Sequence, residues 1–468
     1  MLAADAVIAV HNPGTGERLG EVPKTTQDGL ARAVARAQHA GQRAMAAMPA
    51  HERARLLHAI ADGITQERDA LAHLLAQENG KPITQTRGEV DAAIRIFHGL
   101  AGEATRVFGR QIPLDAVPGL EKHLAVTIRE PLGVVAALVP FNYPVELYAH
   151  KAGAALAAGN AVLVQPPQKC PLALHRIAEI VEAAGAPAHA HQLVDGGAEI
   201  SQGLADAGGI AAISLTGSTT AGKEIARRAS TNLKKVLLEL GGNDALIVCA
   251  DADLEKAAEA VVLGRLARGN GQICCAVKRV YVQDPVHDEF VDALLAQTAH
   301  LTVGDQLDER TDVGPLITEA AAERVEQAIG QLRADGATIR TNGARRGAFV
   351  DPAVLTDVPT ESPAFNEEIF GPVAPVARFK EPEDATRMAS ESPYGLQAAI
   401  WTRDISRAFT MARQLDVGGV VINGSTALRA ENLPFGGTKG TGGYREGIHD
   451  TVADLTSQKT IIVMDAFA

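Results

Sequence analysis

Short apolar runs recur at residues 134–139, 161–164, 192–194, 210–215 and 236–238, and stretches of helical character such as 145–158 and 172–184 lie between several of them. This alternation constrains the fold more than any other feature of the chain. Short buried strands exchanged with helices indicate an α/β fold built on a doubly wound parallel sheet. Gly159-Asn160 closes the first of these helices, a common stop signal. In such sheets a ligand sits beyond the carboxyl ends of the strands. That rule directs attention to the loops at residues 140–144, 165–168, 216–222 and 239–243.

At 468 residues the chain is too long for one ordinary core, so two or three domains are expected. The first hundred residues read as helices: Leu57, Ile60, Ala61 and Ile64 form one apolar stripe, and the pattern continues through 70–77 and 90–100. Residues 113–131 open with Pro113 and Pro118 and then alternate over 123–129, which suggests an extended arm of the kind that pairs with another chain. From about residue 244 to 439 strand and helix signals repeat, with helices near 254–268 and 286–301 and strands near 277–282 and 418–422. This is read as a second α/β domain. The tail ends in the β-rich run 460–463, suited to pairing with the arm of a partner subunit.

Hydrophobic residues make up 46% and charged residues 21%, which fits a soluble globular protein. The net charge of -12 disfavours a nucleic-acid partner. The most apolar region, 132–164, is broken by Pro140, Asn142, Pro144, Glu146, His150 and Lys151, so no membrane span is expected. The amino terminus lacks the features of a secretory signal. Four cysteines, two of them adjacent, make a poor disulfide framework, and a reducing, cytoplasmic setting is expected. No metal-ligand spacing is evident, because Cys274-Cys275 lacks the gap of a zinc pair.

Chemistry concentrates in a few loops. Residues 269–279 read GNGQICCAVKR, setting Cys274 and Cys275 directly after Asn270, Gly271 and Gln272. A glycine lets backbone approach a ligand, and neighbouring N–H groups can then point at a reacting atom. Cys274 reads as a nucleophile; the other reading of a lone cysteine is a small buried apolar residue. Residues 216–222, TGSTTAG, place a glycine-rich turn before a helix starting near Lys223, which suits phosphate or is a plain tight connection. Glu239, at a strand end against two glycines, is either a general base or a hydrogen-bonded buried acid. Asn142, in a loop fixed by Pro140 and Pro144, is either an oxyanion donor or a loop cap.

Taken in order, LVPFNYP, AAGNAVLVQPP, TGSTTAG, LELGGND, GQICCA, EEIFGPV and LPFGGTKG resemble the aldehyde dehydrogenase superfamily over nearly the whole chain. The resemblance implies a cofactor domain at 1–112 and 132–241, a catalytic domain at 242–440, and a small β arm with its tail at 113–131 and 441–468. It implies a homodimer or homotetramer, and NAD or NADP as cofactor. Cys274 would attack an aldehyde carbon, and Asn142 with the Cys274 N–H would hold the oxyanion. Glu239 would activate water to hydrolyse the resulting thioester. Lys151 matches a lysine that supports the site, and Glu446 a carboxylate placed to relay protons. Ser218, between Gly217 and Gly222, would meet the pyrophosphate; Glu368 and Phe370 would meet the nicotinamide ribose and ring.

Two departures matter. Many members read K-P-S-E where this chain has Gln165-Pro166-Pro167-Gln168, so the glutamate that would repel a 2′-phosphate is missing and NADP is expected to be tolerated. The positions matching pocket residues are unusually polar: Tyr143, Glu146, His150, Arg268 and Arg429. They point to a small hydroxy- or carboxy-aldehyde, with Arg429 as anchor for an anion. Ile273, where some phosphate-using members carry arginine, speaks against a phosphorylated substrate. The alternatives are an acylating semialdehyde dehydrogenase using coenzyme A, against which Glu239 argues, and an inactive structural or binding relative.

Overall fold

The chain builds two parallel sheets and an antiparallel arm in the computed structural model, which describes residues 6–341 and 343–467. The first sheet has five parallel strands. Val134–Leu138 lies at its centre, flanked by Ala161–Gln165 and then His191–Leu193 on one side, and by Ala212–Thr216 and then Lys235–Glu239 on the other. The order reverses at the central strand, the hallmark of a doubly wound sheet. Successive side chains alternate between two cores. Val135 and Ala137 pack with the helices Ala50–Gln66, Ile83–Ala104 and Leu172–Ala183. Val134, Ala136 and Leu138 pack with Gln27–Arg36, Ala198–Asp206 and Thr219–Ala229. Burial on both faces explains why these strands read as unbroken apolar runs.

The second sheet has seven strands in the order Thr338–Ile339, Ala353–Thr356, Val373–Phe379, Arg279–Gln283, Ala245–Val248, Gln397–Trp401 and Gly419–Ile422. All neighbours run parallel except the first pair. It too is covered on both faces, by Leu254–Val261 and His287–Thr298 on one and by Glu319–Ala334, Pro382–Ser390 and Ile405–Gln414 on the other.

Several expectations need correction. The first hundred residues are not all helical: Val7–His11 and Arg18–Pro23 form an antiparallel hairpin, which offers only Ile8, Val10 and Val22 to the core and so leaves a faint pattern. The tail strand Thr456–Val463 pairs along its whole length with Leu124–Pro131 of its own chain, not a partner's. The helix Ile448–Asp454 returns the chain to the arm, so the local strand is always at hand and closure costs little entropy. The helix expected at 145–158 is interrupted by a π-helical turn at Ala149–Gly153, and that at 254–268 by another at Val262–Ala267. Such turns re-aim side chains and recur at functional sites. The strand expected from 277 starts two residues later, at Arg279, because the N–H groups of Lys278 and Arg279 both bond Asp244 O.

Candidate active site

The carboxyl ends of the first sheet face the amino ends of the second. Asn142 follows the strand Val134–Leu138, and Glu239 is the last residue of its strand. Cys274 precedes the strand Arg279–Gln283, and Glu368 precedes Val373–Phe379. Both chain directions thus deliver loops into one seam.

The nucleophile loop is bent by three consecutive residues in the left-handed region, with φ of 57° at Gly269, 54° at Asn270 and 71° at Gly271. A Cβ at Gly271 would stand 2.4 Å from the carbonyl oxygen of Gly371, so only glycine fits. Asn270 accepts this conformation because its amide is fully used: Nδ2 donates to Gly80 O and Pro315 O at 3.0 and 2.9 Å, and Oδ1 accepts from Gly314 N at 2.8 Å. Fully buried Arg265 clamps the loop to its neighbour by donating to the carbonyls of Gly271, Ile369 and Val373. Cys274 remains partly exposed while Cys275 is buried. Its thiol is pushed well above its ordinary pKa by the adjoining Cys275 thiol and then by burial, with the charges of Lys278 and Arg429 pulling the other way.

Lys278 is a site residue that sequence reasoning missed. Its buried Nζ donates to Gly242 O at 2.7 Å and to Cys274 O at 2.6 Å, and it pairs with Glu368. One cation therefore joins the Glu239 loop, the nucleophile's own peptide and the carboxylate assigned to the cofactor. The string Ala-Val-Lys-Arg marked the position, but a lysine before a strand gives no sign of facing inward. Lys81 and Glu89 were missed as well. Asn79 Nδ2 holds Phe141 O at 2.5 Å, and Lys81 Nζ holds Asn142 O at 2.7 Å. Glu89 pairs with Lys81 and accepts from the N–H groups of Val145 and Glu146. The loop's backbone is thereby fixed by groups other than the Asn142 side chain, whose Oδ1 is buried without a partner.

Glu239 is 3% exposed, and its Oε1 has no hydrogen-bond partner. A Cβ at Gly436 would approach that oxygen to 2.6 Å, so the glycine leaves it clear. Burial, then the charges of Glu446 and Cys274, push the carboxyl well above the usual carboxylate range. Glu446 behaves in the opposite way. Burial alone would raise it, but Lys151 and Arg429 hold it well below that range. Lys151 Nζ donates to Glu446 Oε1 at 2.8 Å and to Ser214 Oγ at 3.3 Å, and Arg429 reaches Glu446 Oε2 at 2.6 Å. Glu239 is thus biased to hold a proton while Glu446 stays ionised.

On the cofactor side, Ser218 caps the helix Thr219–Ala229, its Oγ accepting from Ala221 N at 3.2 Å. Gly222 packs against Leu240, and Gly217 forms the turn itself. Beside it the Thr216 hydroxyl is buried without a partner. A helix start with an unsatisfied hydroxyl suits a phosphorylated dinucleotide. Phe370 meets Phe141 edge-on, with centroids 5.9 Å apart, and lines with Glu368 and Gln272 a cavity of about 750 Å³. Gln165 is committed within the protein: Nε2 donates to Gly196 O and Gly197 O, both at 2.9 Å, and Oε1 accepts from Ser201 Oγ at 2.7 Å. Gln168 is exposed.

A second cavity of about 650 Å³ is lined by Glu89, Tyr143, Glu146, Arg268, Leu428 and Arg429 among others. Cys274 lines neither cavity. It belongs to the apolar cluster of Ile273, Cys275 and Phe435, against which Tyr143 also packs. Arg429 is bound on both flanks, by Glu446 and by Glu146 Oε1 at 3.4 Å, and stacks over Phe435. Arg268 donates to Ala427 O at 2.7 Å and has no carboxylate within ion-pair distance among the described residues, although the Tyr143 and Glu146 charges act on it.

Comparison with known proteins shows the family and the fold. The model of the aldehyde dehydrogenase family matches residues 2–461. A 3-sulfolactaldehyde dehydrogenase of Priestia aryabhattai is 37% identical over 455 residues, 97% of this chain and 94% of that protein. The NADP(+) succinate-semialdehyde dehydrogenase of Escherichia coli (strain K12) is 37% identical, covering 97% and 94% of the two chains. Among solved structures, aldehyde dehydrogenase 21 of Physcomitrella patens in complex with the reaction product succinate superposes with a TM-score of 0.96 at 32% identity, over 100% of this chain and 97% of that one. A family match over almost every residue, with relatives at this identity across the same span, shows that the chain belongs to the aldehyde dehydrogenase family.

Proposed function

We propose that this chain oxidises a small, polar aldehyde bearing an acidic group to the carboxylic acid, with NAD or NADP as hydride acceptor. The observation that carries the reading is Cys274 just after a left-handed turn, held through Lys278 to the loop that follows Glu239, whose buried Oε1 has no partner among the described residues. The thiol gives up its proton to solvent and its sulfur bonds to the aldehyde carbon. The carbonyl oxygen then carries the charge, which the Asn142 amide and the Cys274 N–H stabilise. Gly217, Ser218, Glu368 and Phe370 would hold the nicotinamide cofactor, which when bound would accept the hydride lost as the adduct on Cys274 becomes a thioester. Ionised Glu239 takes a proton from water as the water oxygen attacks the thioester carbon, and returns it to sulfur as the C–S bond breaks, so that the acid departs and the thiol re-forms. Lys151 and Arg429 keep Glu446 charged, and that negative charge adds to burial in raising the proton affinity of Glu239.

Two finer points support the substrate and cofactor classes. Arg429 is already neutralised by two carboxylates, so the cation suited to an acidic substrate is Arg268 rather than the Arg429 anchor that the sequence suggested. The Gln165–Gln168 segment presents no carboxylate to repel a 2′-phosphate, which favours tolerance of NADP. Relatives named for 3-sulfolactaldehyde and for succinate semialdehyde, both acidic aldehydes, agree with that class.

The test is a panel of acidic and neutral short aldehydes, followed by reduced-nicotinamide absorbance with each cofactor. Wild type turns over the acidic members, Cys274→Ala none of them, and Arg268→Leu raises KM for acidic members far more than for neutral ones. Activity retained in Cys274→Ala sinks the mechanism. An NAD preference above roughly a thousandfold, about 4 kcal/mol, sinks NADP tolerance.

A further inference from the structure

One wall of the 650 Å³ cavity, whose Tyr143 also packs against the Cys274 cluster, has polar capacity that the protein leaves unused. Glu146 lies in the short helix Pro144–Tyr148 and is 8% exposed, yet it lines the cavity with Tyr143 and Arg268. No described residue donates a hydrogen bond to its carboxylate. Its one ion-pair contact is Arg429 Nε at 3.4 Å, and that guanidinium makes its closer contact, 2.6 Å, with Glu446. Glu89, on the same cavity, shows what a satisfied acid looks like here: Lys81 pairs with it and two backbone N–H groups reach it. A carboxylate offers about four acceptor sites, and burial without donors is costly.

A second group on the same helical segment repeats the pattern. His150 is 1% exposed, and neither of its ring nitrogens has a partner. Burial, and then the charge of Arg429, lower its pKa to about 3, so the ring is neutral and able both to donate and to accept. In the same cavity Arg268 has no carboxylate within ion-pair distance among the described residues, though the charges of Tyr143 and Glu146 reach it. A wall that offers a cation for one end of a ligand therefore also offers a carboxylate whose one ion-pair contact, Arg429, is shared with Glu446.

We propose that Glu146 is a specificity-determining residue that accepts a hydrogen bond from a donor, a hydroxyl or an ammonium, on an aldehyde whose acidic group is held by Arg268. The inference rests on the aldehyde-oxidising reading given above and narrows its substrate class to acidic aldehydes with a second, donating substituent. A ligand lacking that substituent buries the Glu146 carboxylate against carbon and leaves it without a donor, which is how a polar site rejects a close analogue.

The test compares succinate, malate and aspartate semialdehydes, which carry hydrogen, hydroxyl or ammonium on the carbon next to the carboxylate. Each is assayed with wild type, Glu146→Gln and Glu146→Leu after melting curves establish that the variants fold. Wild type favours the malate or the aspartate compound over the succinate one by about ten- to a hundredfold in kcat/KM, and Glu146→Leu removes that preference. Glu146→Gln separates the two donors, because a neutral amide oxygen still accepts from a hydroxyl but no longer pairs an ammonium. Wild type that oxidises succinate semialdehyde at least as well as both others overturns the proposal. So does a Glu146→Leu variant that slows all three equally. If wild type reduces the nicotinamide with no aldehyde at all, neutral ones included, the aldehyde-oxidising reading itself fails.

Discussion

Two acids of this site are pushed in opposite directions for reasons that lie within a few ångströms of each. Glu239 has no cation bonded to it and is pushed upward by burial, whereas Glu446 is bracketed by Lys151 and Arg429 and is held down. A base that must take a proton from water benefits from the first environment. Glu239→Gln is therefore expected to permit one round of nicotinamide reduction per site and then to lower turnover by roughly a thousandfold, with the acyl group trapped on Cys274. Rapid-mixing absorbance with intact-mass analysis reads both effects, and steady turnover at the wild-type rate contradicts the role. At Cys274 the buried cation is Lys278, which bonds the residue's own carbonyl. Replacing it by methionine removes a charge that favours thiolate, so the pH profile of alkylation by iodoacetamide in the cofactor-free enzyme shifts upward by roughly one unit or more. An unshifted profile means that Lys278 acts on packing alone.

Elements are placed by buried acids as much as by apolar stripes. The helix Leu172–Ala183 begins after a proline with no side-chain cap of its own, and Glu78 from a distant helix supplies one by accepting from Leu172 N at 2.7 Å and Ala173 N at 2.8 Å. Burial outweighs these two donors and raises the Glu78 carboxyl from 4.5 to about 8. A folded-state pKa raised above the unfolded one means that the folded chain holds its proton more tightly. The associated stability is complete below 4.5 and is lost as pH climbs towards 8. The melting-temperature advantage of wild type over Glu78→Gln is thus expected to shrink across that interval, and a constant difference refutes it.

For the whole molecule, the decisive fact is that two sheets present opposite edges to one seam, so that loops from both supply the site. The arm stands apart from this seam. Its outer strand Thr456–Val463 leaves Ile461, Ile462 and Val463 exposed, with Met464 and Phe467 beyond them. An edge strand with apolar side chains is a surface made for pairing. We propose that the homodimer or homotetramer implied by the family resemblance uses this edge, so that Ile462→Lys is expected to shift sedimentation towards smaller species without altering the fold seen by circular dichroism. An unchanged sedimentation coefficient removes the edge from the interface.

The sequence by itself determined the strands of the first sheet to within a residue or two, because central parallel strands are buried on both faces and read as continuous apolar runs. It also singled out Cys274, Glu239 and Asn142, because glycines and prolines beside reactive side chains leave a local mark. It could not show what reaches those residues from far along the chain. Lys278, Lys81 and Glu89 look like ordinary surface charges in sequence, and only the fold turns them inward and pairs them. The π-helical turns left no periodic signal, and the tail strand's partner depended on where a helix returned the chain. Arg429 and Arg268 are the same residue type in sequence; tertiary structure alone surrounded one with carboxylates and left the other without, since a charge is made available or spent by its neighbours in space.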